Sequence, residues 1–165
     1  MRYYPDVDKY WNKEMEYILG YLYGFGLDIG CGERTPFPHI ICIDKNGDGK
    51  RVIKGKGDKL PFSANHFDFV YSGHSLEHFE NTVGTLQEWI RVVKPLGYIV
   101  IVSPDRRYIP NRHNPAGDPQ HRQEWTYEEL REITKLLDNV VQVNRNIIAL
   151  NQWSFTIVLR KTKCN

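Results

Sequence analysis

An α/β fold is what this sequence predicts, with a mostly parallel sheet of seven strands closed by an antiparallel strand at the C-terminal end. Three observations predict it. The segment Leu27-Asp28-Ile29-Gly30-Cys31-Gly32 reads as a buried strand that runs into a turn with two glycines. The runs over 67–72 and 98–103 are apolar almost throughout, as parallel strands covered on both faces are, and a helical repeat lies between them. The residues over 140–145 and 153–160 alternate in the manner of an antiparallel pair.

The elements follow in order. Trp11, Met15, Ile18, Leu19 and Leu22 recur at helical spacing, and Asp6 or Asp8 can cap that helix. Strands are expected around Leu27, Ile41 and Val52, separated by loops in place of full helices. Val83, Leu86, Trp89, Ile90 and Val93 make one face of a helix that Pro95 and Gly97 stop. Residues 104–125 carry four prolines and no period. Structureless stretches of that length are uncommon in compact domains and are often functional. Thr126-x-x-Glu129 is a capping box, and Leu130, Ile133, Leu136 and Leu137 supply the buried face of a last helix.

At 165 residues the chain is expected to form one domain, 1–165, with room for a substantial core. A net charge of +2 does not point to nucleic acid. The basic residues Lys50, Arg51, Lys54, Lys56 and Lys59 are accompanied by Asp48 and Asp58, and no aromatic residue interrupts them to stack on bases, so they read as a solvated edge. Three widely spaced cysteines make neither a disulfide framework nor a zinc site, which suits a reducing cytoplasm. Neither a signal peptide's apolar block nor a run approaching the ~20 apolar residues of a membrane span is present.

The glycine turn carries the chemistry. Glycines let backbone N–H groups approach a ligand that a Cβ would push away. The second strand, over 40–43, ends on Asp44, and a carboxylate at a strand tip can accept two hydrogen bonds from a ribose. Both features suit an adenosyl ligand. A dinucleotide site wants a third glycine and a helix N-terminus under the phosphates. Here Thr35 holds the third position, and Pro36 and Pro38 oppose a regular helix, so a ligand without phosphates is favoured.

At this point the chain resembles the class I S-adenosylmethionine-dependent methyltransferases. Their first signature, an acidic residue, a hydrophobic residue and G-x-G, is matched by Asp28-Ile29-Gly30-Cys31-Gly32. Gly57-Asp58-Lys59-Leu60-Pro61-Phe62 looks like the segment that holds the adenine. Phe67-Asp68-Phe69-Val70-Tyr71-Ser72 looks like the fourth strand, and Gly73-His74-Ser75-Leu76-Glu77-His78 like the turn after it. Val93-Lys94-Pro95-Leu96-Gly97-Tyr98 looks like the turn before the fifth strand. Arg34 stands where many members have a further glycine, and the helix after the glycine turn is missing, a shortening familiar among small members of sugar and polysaccharide pathways.

The resemblance implies a Rossmann-like seven-stranded methyltransferase sandwich that binds S-adenosyl-L-methionine. Asp28 would orient the amino-acid end of the cofactor, and Gly30, Cys31 and Gly32 would line its cradle. Asp44 would bind the ribose hydroxyls. Asp58 would accept from the adenine amino group, with the Lys59 and Leu60 backbone alongside. Ser72, Gly73 and His74 would pass beneath the methionine part. His74 is the candidate general base, since histidine suits proton transfer near neutral pH. His78 reads equally as a structural histidine. Arg106, Arg107, Arg112 and Arg122 gather in the long loop with His113 and His121; arginine forks suit phosphate or carboxylate groups, and solvated arginines on a loop are an equal reading. The expected acceptor is a small polar molecule such as a phosphorylated or nucleotide-linked sugar, methylated on oxygen. The alternative is a cofactor-binding domain without turnover that serves as a partner subunit or sensor. For the enzyme, a partner protein or a second subunit could complete the acceptor pocket. Tyr3, Tyr4 and Trp11 could close over the site from the N-terminal side or pack onto the sheet.

Asp44-Lys45-Asn46-Gly47-Asp48-Gly49 imitates the start of a calcium loop, but Gly55 stands where the bidentate glutamate belongs, so the letters read as a glycine-rich turn. The histidines lack H-E-x-x-H or Cys/His spacing, and no metal is expected.

Overall fold

The computed structural model describes residues 15–32, 40–50, 52–110, 112–144, 147–148 and 153–163. Its strands are β1 (Gly26–Ile29), β2 (Ile41–Asp44), β3 (Ile53–Lys54), β4 (Phe67–Gly73), β5 (Val93–Pro104), β6 (Val140–Gln142), β7 (Ile147–Ile148) and β8 (Ser154–Lys161). Among the described residues the helices are α1 (Thr82–Val92) and α2 (Tyr127–Thr134), with a helical turn over 15–18 and 3-10 turns at Leu19–Tyr21 and Leu76–His78. Seven strands lie in the order β3-β2-β1-β4-β5-β8-β6, and β7 also pairs with β8. The first five of these are parallel, and β8 lies antiparallel to both β5 and β6.

Period-two alternation sorts the core into two layers, because successive strand residues point to opposite faces. Val70, Ile99, Ile101, Ile157 and Leu159 face the α1 and α2 side, where Leu86, Trp89 and Leu130 meet them. Phe69, Tyr71, Val100, Val102 and Val158 face the other way and are covered by Met15 and Ile18. The helical turn at 15–18 thus bears out the spacing of Met15 and Ile18, while Leu19 is exposed. Trp11, Tyr3 and Tyr4 lie outside the described residues.

Helix α1 begins where the Asn81 side chain accepts from the Gly84 N–H at 2.9 Å. It ends one residue sooner than expected, and β5 starts at Val93, earlier than the apolar run over 98–103 suggests. Pro95 explains both: its ring would strike the carbonyl of Arg91 in a continued helix, and it drives the residue before it into extended backbone. Leu96 then turns the chain with φ +68°. The capping box of α2 forms as read, with Thr126 accepting from the Glu129 N–H and Glu129 from the Thr126 N–H. Leu136 corrects the expected apolar face, since it lies beyond the end of α2 and is 71% exposed.

Two polar devices hold α1 in place. The Glu88 carboxylate accepts from the Leu60 N–H at 2.8 Å and from Arg91, whose guanidinium also reaches the carbonyls of Phe62 and Leu60. At the other end, the buried Lys161 Nζ donates to the carbonyls of Ile90 and Val93 and to Asn65 Oδ1 at 2.7–2.9 Å. This places a cation at the negative end of the helix dipole.

Lys161→Met removes that cap and leaves its buried acceptors unsatisfied. We expect a loss of about 1–3 kcal/mol in the urea unfolding free energy, without change in the far-UV spectrum. The Arg91 hydrogen bond, helped by the Leu60 N–H, holds the Glu88 carboxyl below its ordinary value of 4.5. A depressed folded-state value means that this contribution is whole above about pH 4.5 and is lost as the pH falls through the folded value. A pH series of melting temperatures should therefore drop less steeply on the acid side in Glu88→Gln than in the parent chain.

Candidate functional site

In open α/β sheets, ligands bind outside the carboxyl ends of the strands where the strand order reverses. Here that point lies between β1 and β4, because the chain leaves β1 for β2 and β3 on one side and returns to β4 on the other. The ends of β1, β2 and β4 deliver Gly30–Gly32, Asp44 and His74 to this edge. The sequence placed these residues on the same three strand ends, and the sheet brings them together.

The glycine turn after β1 is stereochemically demanding. Gly30 and Gly32 have φ of +76° and +62°, a region that residues with a Cβ rarely adopt. A Cβ on Gly30 would also lie 2.0 Å from the Ser75 Oγ in the turn after β4. The Gly30 N–H donates to the Ile43 carbonyl at 2.8 Å, and the Gly32 N–H donates to Asp44 Oδ2 at 3.0 Å. The other Asp44 oxygen accepts from Asn46 N–H at 2.8 Å. Each carboxylate oxygen keeps acceptor capacity, since an ionised carboxylate offers about four lone-pair sites in all. Asp28 is buried in the middle of β1, flanked by Cys42 and Tyr71 in register. The Cys31 thiol is half-buried, and that burial, reinforced by the Asp28 charge, pushes its pKa well up. It stays a neutral thiol that lines the turn.

Asp58 and Lys59 lie exposed at a tight turn closed by a Lys59 N–H bond to the Lys56 carbonyl. The turn is braced from beneath, where Trp89 Nε1 donates to the Gly57 carbonyl at 2.8 Å. A Cβ on Gly57 would collide with Ile29 and Phe79, so glycine permits the close approach of this turn to β1. Leu60 sits differently from the backbone role expected of it: its N–H is committed to Glu88, its carbonyl to Arg91, and its side chain to the core.

Ser72 is wholly buried and Gly73 ends β4. His74 takes φ +53°, and its N–H donates to the Val102 carbonyl at 2.8 Å. Its imidazole stacks on the Trp153 indole, with centroids 4.8 Å apart and planes 7° from parallel. Trp153 is the site residue that sequence reasoning missed, since strand alternation alone marked its position. Asp105, wholly buried after β5, donates its N–H to the Trp153 carbonyl at 2.8 Å and so ties the two segments together.

The arginines of the long loop are spent on local pairs. Arg106 makes a fork to Glu129, whose carboxyl is held low by the Thr126 N–H and by Arg106. Arg107 makes a fork to Asp105, which raises the guanidinium pKa further. Arg112 Nη1 donates to the Arg122 carbonyl. Of the two kinds of group expected for these forks, Arg106 and Arg107 meet carboxylates; the Arg122 side chain is exposed. The calcium-like letters do form a turn: Asp48 Oδ1 accepts from the N–H groups of Lys50 and Val52, and Asp44 faces the glycine turn. Arg34, Thr35, Pro36 and Pro38 lie outside the described residues. Among the described residues, no helix is long and apolar enough to cross a membrane.

A family profile described as "Methyltransferase domain" matches residues 38–101, from the approach to β2 through most of β5. The chain is 40% identical over 52 residues to the ubiquinone/menaquinone biosynthesis C-methyltransferase UbiE of Coxiella burnetii, a match covering 32% of this chain and 21% of that protein. It is 36% identical over 94 residues to the uncharacterised protein MJ1123 of Methanocaldococcus jannaschii, covering 50% of this chain and 46% of that one. The matched part thus spans less than half the length of these relatives. Among solved structures, a chain of a Haloferax volcanii complex that contains the Trm112 methyltransferase activator superposes with a TM-score of 0.71 at 14% identity, covering 97% of this chain and 92% of that chain. A SAM-dependent methyltransferase from Archaeoglobus fulgidus superposes with a TM-score of 0.65 at 20% identity, covering 90% and 91%. Strand order, antiparallel closing strands and these superpositions agree: the chain has the fold of the class I S-adenosylmethionine-dependent methyltransferases.

Proposed function

We propose that residues 1–165 act as one S-adenosylmethionine-dependent methyltransferase domain on a small polar acceptor, with an acceptor hydroxyl as the methylated group. The observation that carries this reading is the joint placement of the Gly30–Gly32 turn and the Asp44 carboxylate at the reversal point of the sheet, linked by the 3.0 Å bond from the Gly32 N–H. A Cβ-free cradle beside a strand-tip carboxylate fits an adenosyl ligand. Asp44 would take the ribose hydroxyls on its remaining lone pairs, and the exposed Asp58 would meet the adenine amino group, with the Lys59 backbone beside it. Asp28, Cys31, Ser72 and Gly73 would surround the methionine part.

When bound, the cofactor supplies an electrophilic methyl group. The chain's own task is to orient the acceptor and take its proton, and well-oriented reactants reach effective molarities of about 10⁵–10⁸ M. His74 would hold that proton: the Trp153 stack and the Val102 hydrogen bond fix both its ring plane and its backbone. The closed forks of Arg106 and Arg107 favour an uncharged, sugar-like acceptor over a phosphorylated one. The match to UbiE favours a second reading, methylation at carbon on a quinone-type ring, in which no hydroxyl proton need pass to His74. Mass spectrometry of products from a panel holding both acceptor classes separates the two. The complex with the Trm112 activator in a structural neighbour supports a partner subunit.

S-adenosylhomocysteine titrated calorimetrically should bind saturably. Loss of charge-assisted hydrogen bonds worth about 1.5–3 kcal/mol in Asp44→Asn should weaken that binding roughly 10- to 100-fold. Gly30→Ala should abolish it. Unchanged affinity in both variants, or preference for a dinucleotide, would sink the cofactor reading. His74→Gln should lower turnover by ~10²–10⁴-fold while S-adenosylhomocysteine still binds. A variant that loses only melting temperature and keeps its turnover would make His74 a packing partner of Trp153.

A further inference from the structure

Away from the glycine turn, the 3-10 turn after β4 and the segment before α2 bring a second set of polar side chains together. The two are joined at backbone level first, because the N–H groups of Arg122 and Gln123 both donate to the Glu77 carbonyl, at 2.8 and 3.1 Å. On this frame, one ligand atom from each of Glu77, His78 and His121 lies within 4.8 Å of the others. His121 is only 6% exposed; its Nε2 stands 3.9 Å from Glu77 Oε1 and 3.9 Å from Asp118 Oδ2. The His78 ring lies edge-on to it, with centroids 5.0 Å apart.

These distances have a chemical reading. At 3.9 Å neither carboxylate makes a hydrogen bond to Nε2. Ligands about 2.0–2.1 Å from a tetrahedral metal stand roughly 3.3 Å from one another, so a small inward shift of the side chains would close the set. The other nitrogen of His78 is already oriented, since Nδ1 meets the Gln120 carbonyl at 3.2 Å. Ligating histidines are held in this way, by an acceptor on the nitrogen that does not bind the metal. His121 Nδ1 lies 3.4 Å from Glu124 Oε1 without a hydrogen bond. Glu77, Asp118 and Glu124 surround His121 with side chains 2%, 10% and 14% exposed.

We propose that Glu77, His78 and His121 form a binding site for a divalent first-row transition metal, zinc before others, with Asp118 beside His121 Nε2 and Glu124 beside its Nδ1. Two imidazoles favour such a metal over magnesium or calcium, which prefer all-oxygen sets. The metal pins the segment over 105–125 to the turn that follows β4. The site stands apart from the methyl-transfer reading and shares no residue with it. The linear sequence hid it, because Glu77-His78 and Asp118-x-x-His121 are separated by a helix and a strand and match no single-segment motif.

The test uses the untagged full chain stripped with a chelator, with circular dichroism to show that it is folded. Cobalt(II) should be taken up at one equivalent, with visible ligand-field bands that zinc abolishes and magnesium does not. His78→Gln and His121→Gln should each remove those bands, and Glu124→Gln should keep them while weakening affinity roughly 10- to 100-fold. Zinc should raise the melting temperature of the stripped chain and leave that of His121→Gln unmoved. A folded chain that takes up neither cobalt nor zinc stoichiometrically overturns the proposal, as does uptake that survives both histidine variants.

Discussion

The bond between the Gly32 N–H and the Asp44 carboxylate joins the ends of two neighbouring parallel strands at the one edge of the sheet where a ligand can sit. Parallel pairing fixes the register of β1 on β2, but it says nothing about what the chain does beyond the last paired residue. The carboxylate supplies that constraint. It fixes the glycine turn relative to β2, and its second oxygen holds Asn46, so the departure toward β3 is fixed as well. The carboxylate that would recognise a ribose is therefore part of the scaffold that shapes the turn. Removing its charge would disturb both functions together.

A single helix supports the opposite side of the same cleft. Trp89, Glu88 and Arg91 of α1 hold Gly57, Leu60 and Phe62 by their backbone groups, so a segment with little regular structure inherits the rigidity of a buried helix. The apolar face of α1 is fixed by burial of Leu86 and Trp89, and its far end by Lys161 from the last strand. Because β8 closes the sheet against β5, the C-terminal strand stabilises the turn at Gly57 through this helix without approaching it.

The parts of the fold that were legible in the sequence are those governed by local periodicity and by short-range hydrogen bonds. The repeat of Leu86, Trp89 and Ile90, the capping box of Thr126 and Glu129, and the two-glycine turn each depend on residues within a few positions of one another. Leu136 misled because its spacing continues the α2 pattern past the point where the helix ends. Arg106 and Arg107 left their partners open for a different reason. Charge composition counts arginines, but only the fold reveals that Glu129 and Asp105 close their forks. Trp153 and the cluster around His121 were out of reach for the same cause, since each depends on a contact between segments remote in sequence.

That cause also explains how the long segment after β5 keeps a shape with few large apolar residues of its own. A loop cannot be ordered by burial it does not have, so polar contacts must offset its conformational entropy. Asp105 is the anchor at its start. Fully buried, it accepts the Arg107 fork at 2.6 and 2.9 Å, and its N–H holds the Trp153 carbonyl. Trp153 in turn stacks on His74. A buried carboxylate that loses its cation is destabilised by more than the pair contributed. The integrity of the Arg107–Asp105 pair therefore governs where Trp153 lies, and through it the plane of the His74 imidazole. The half-buried ion pair and the candidate base form one mechanical chain.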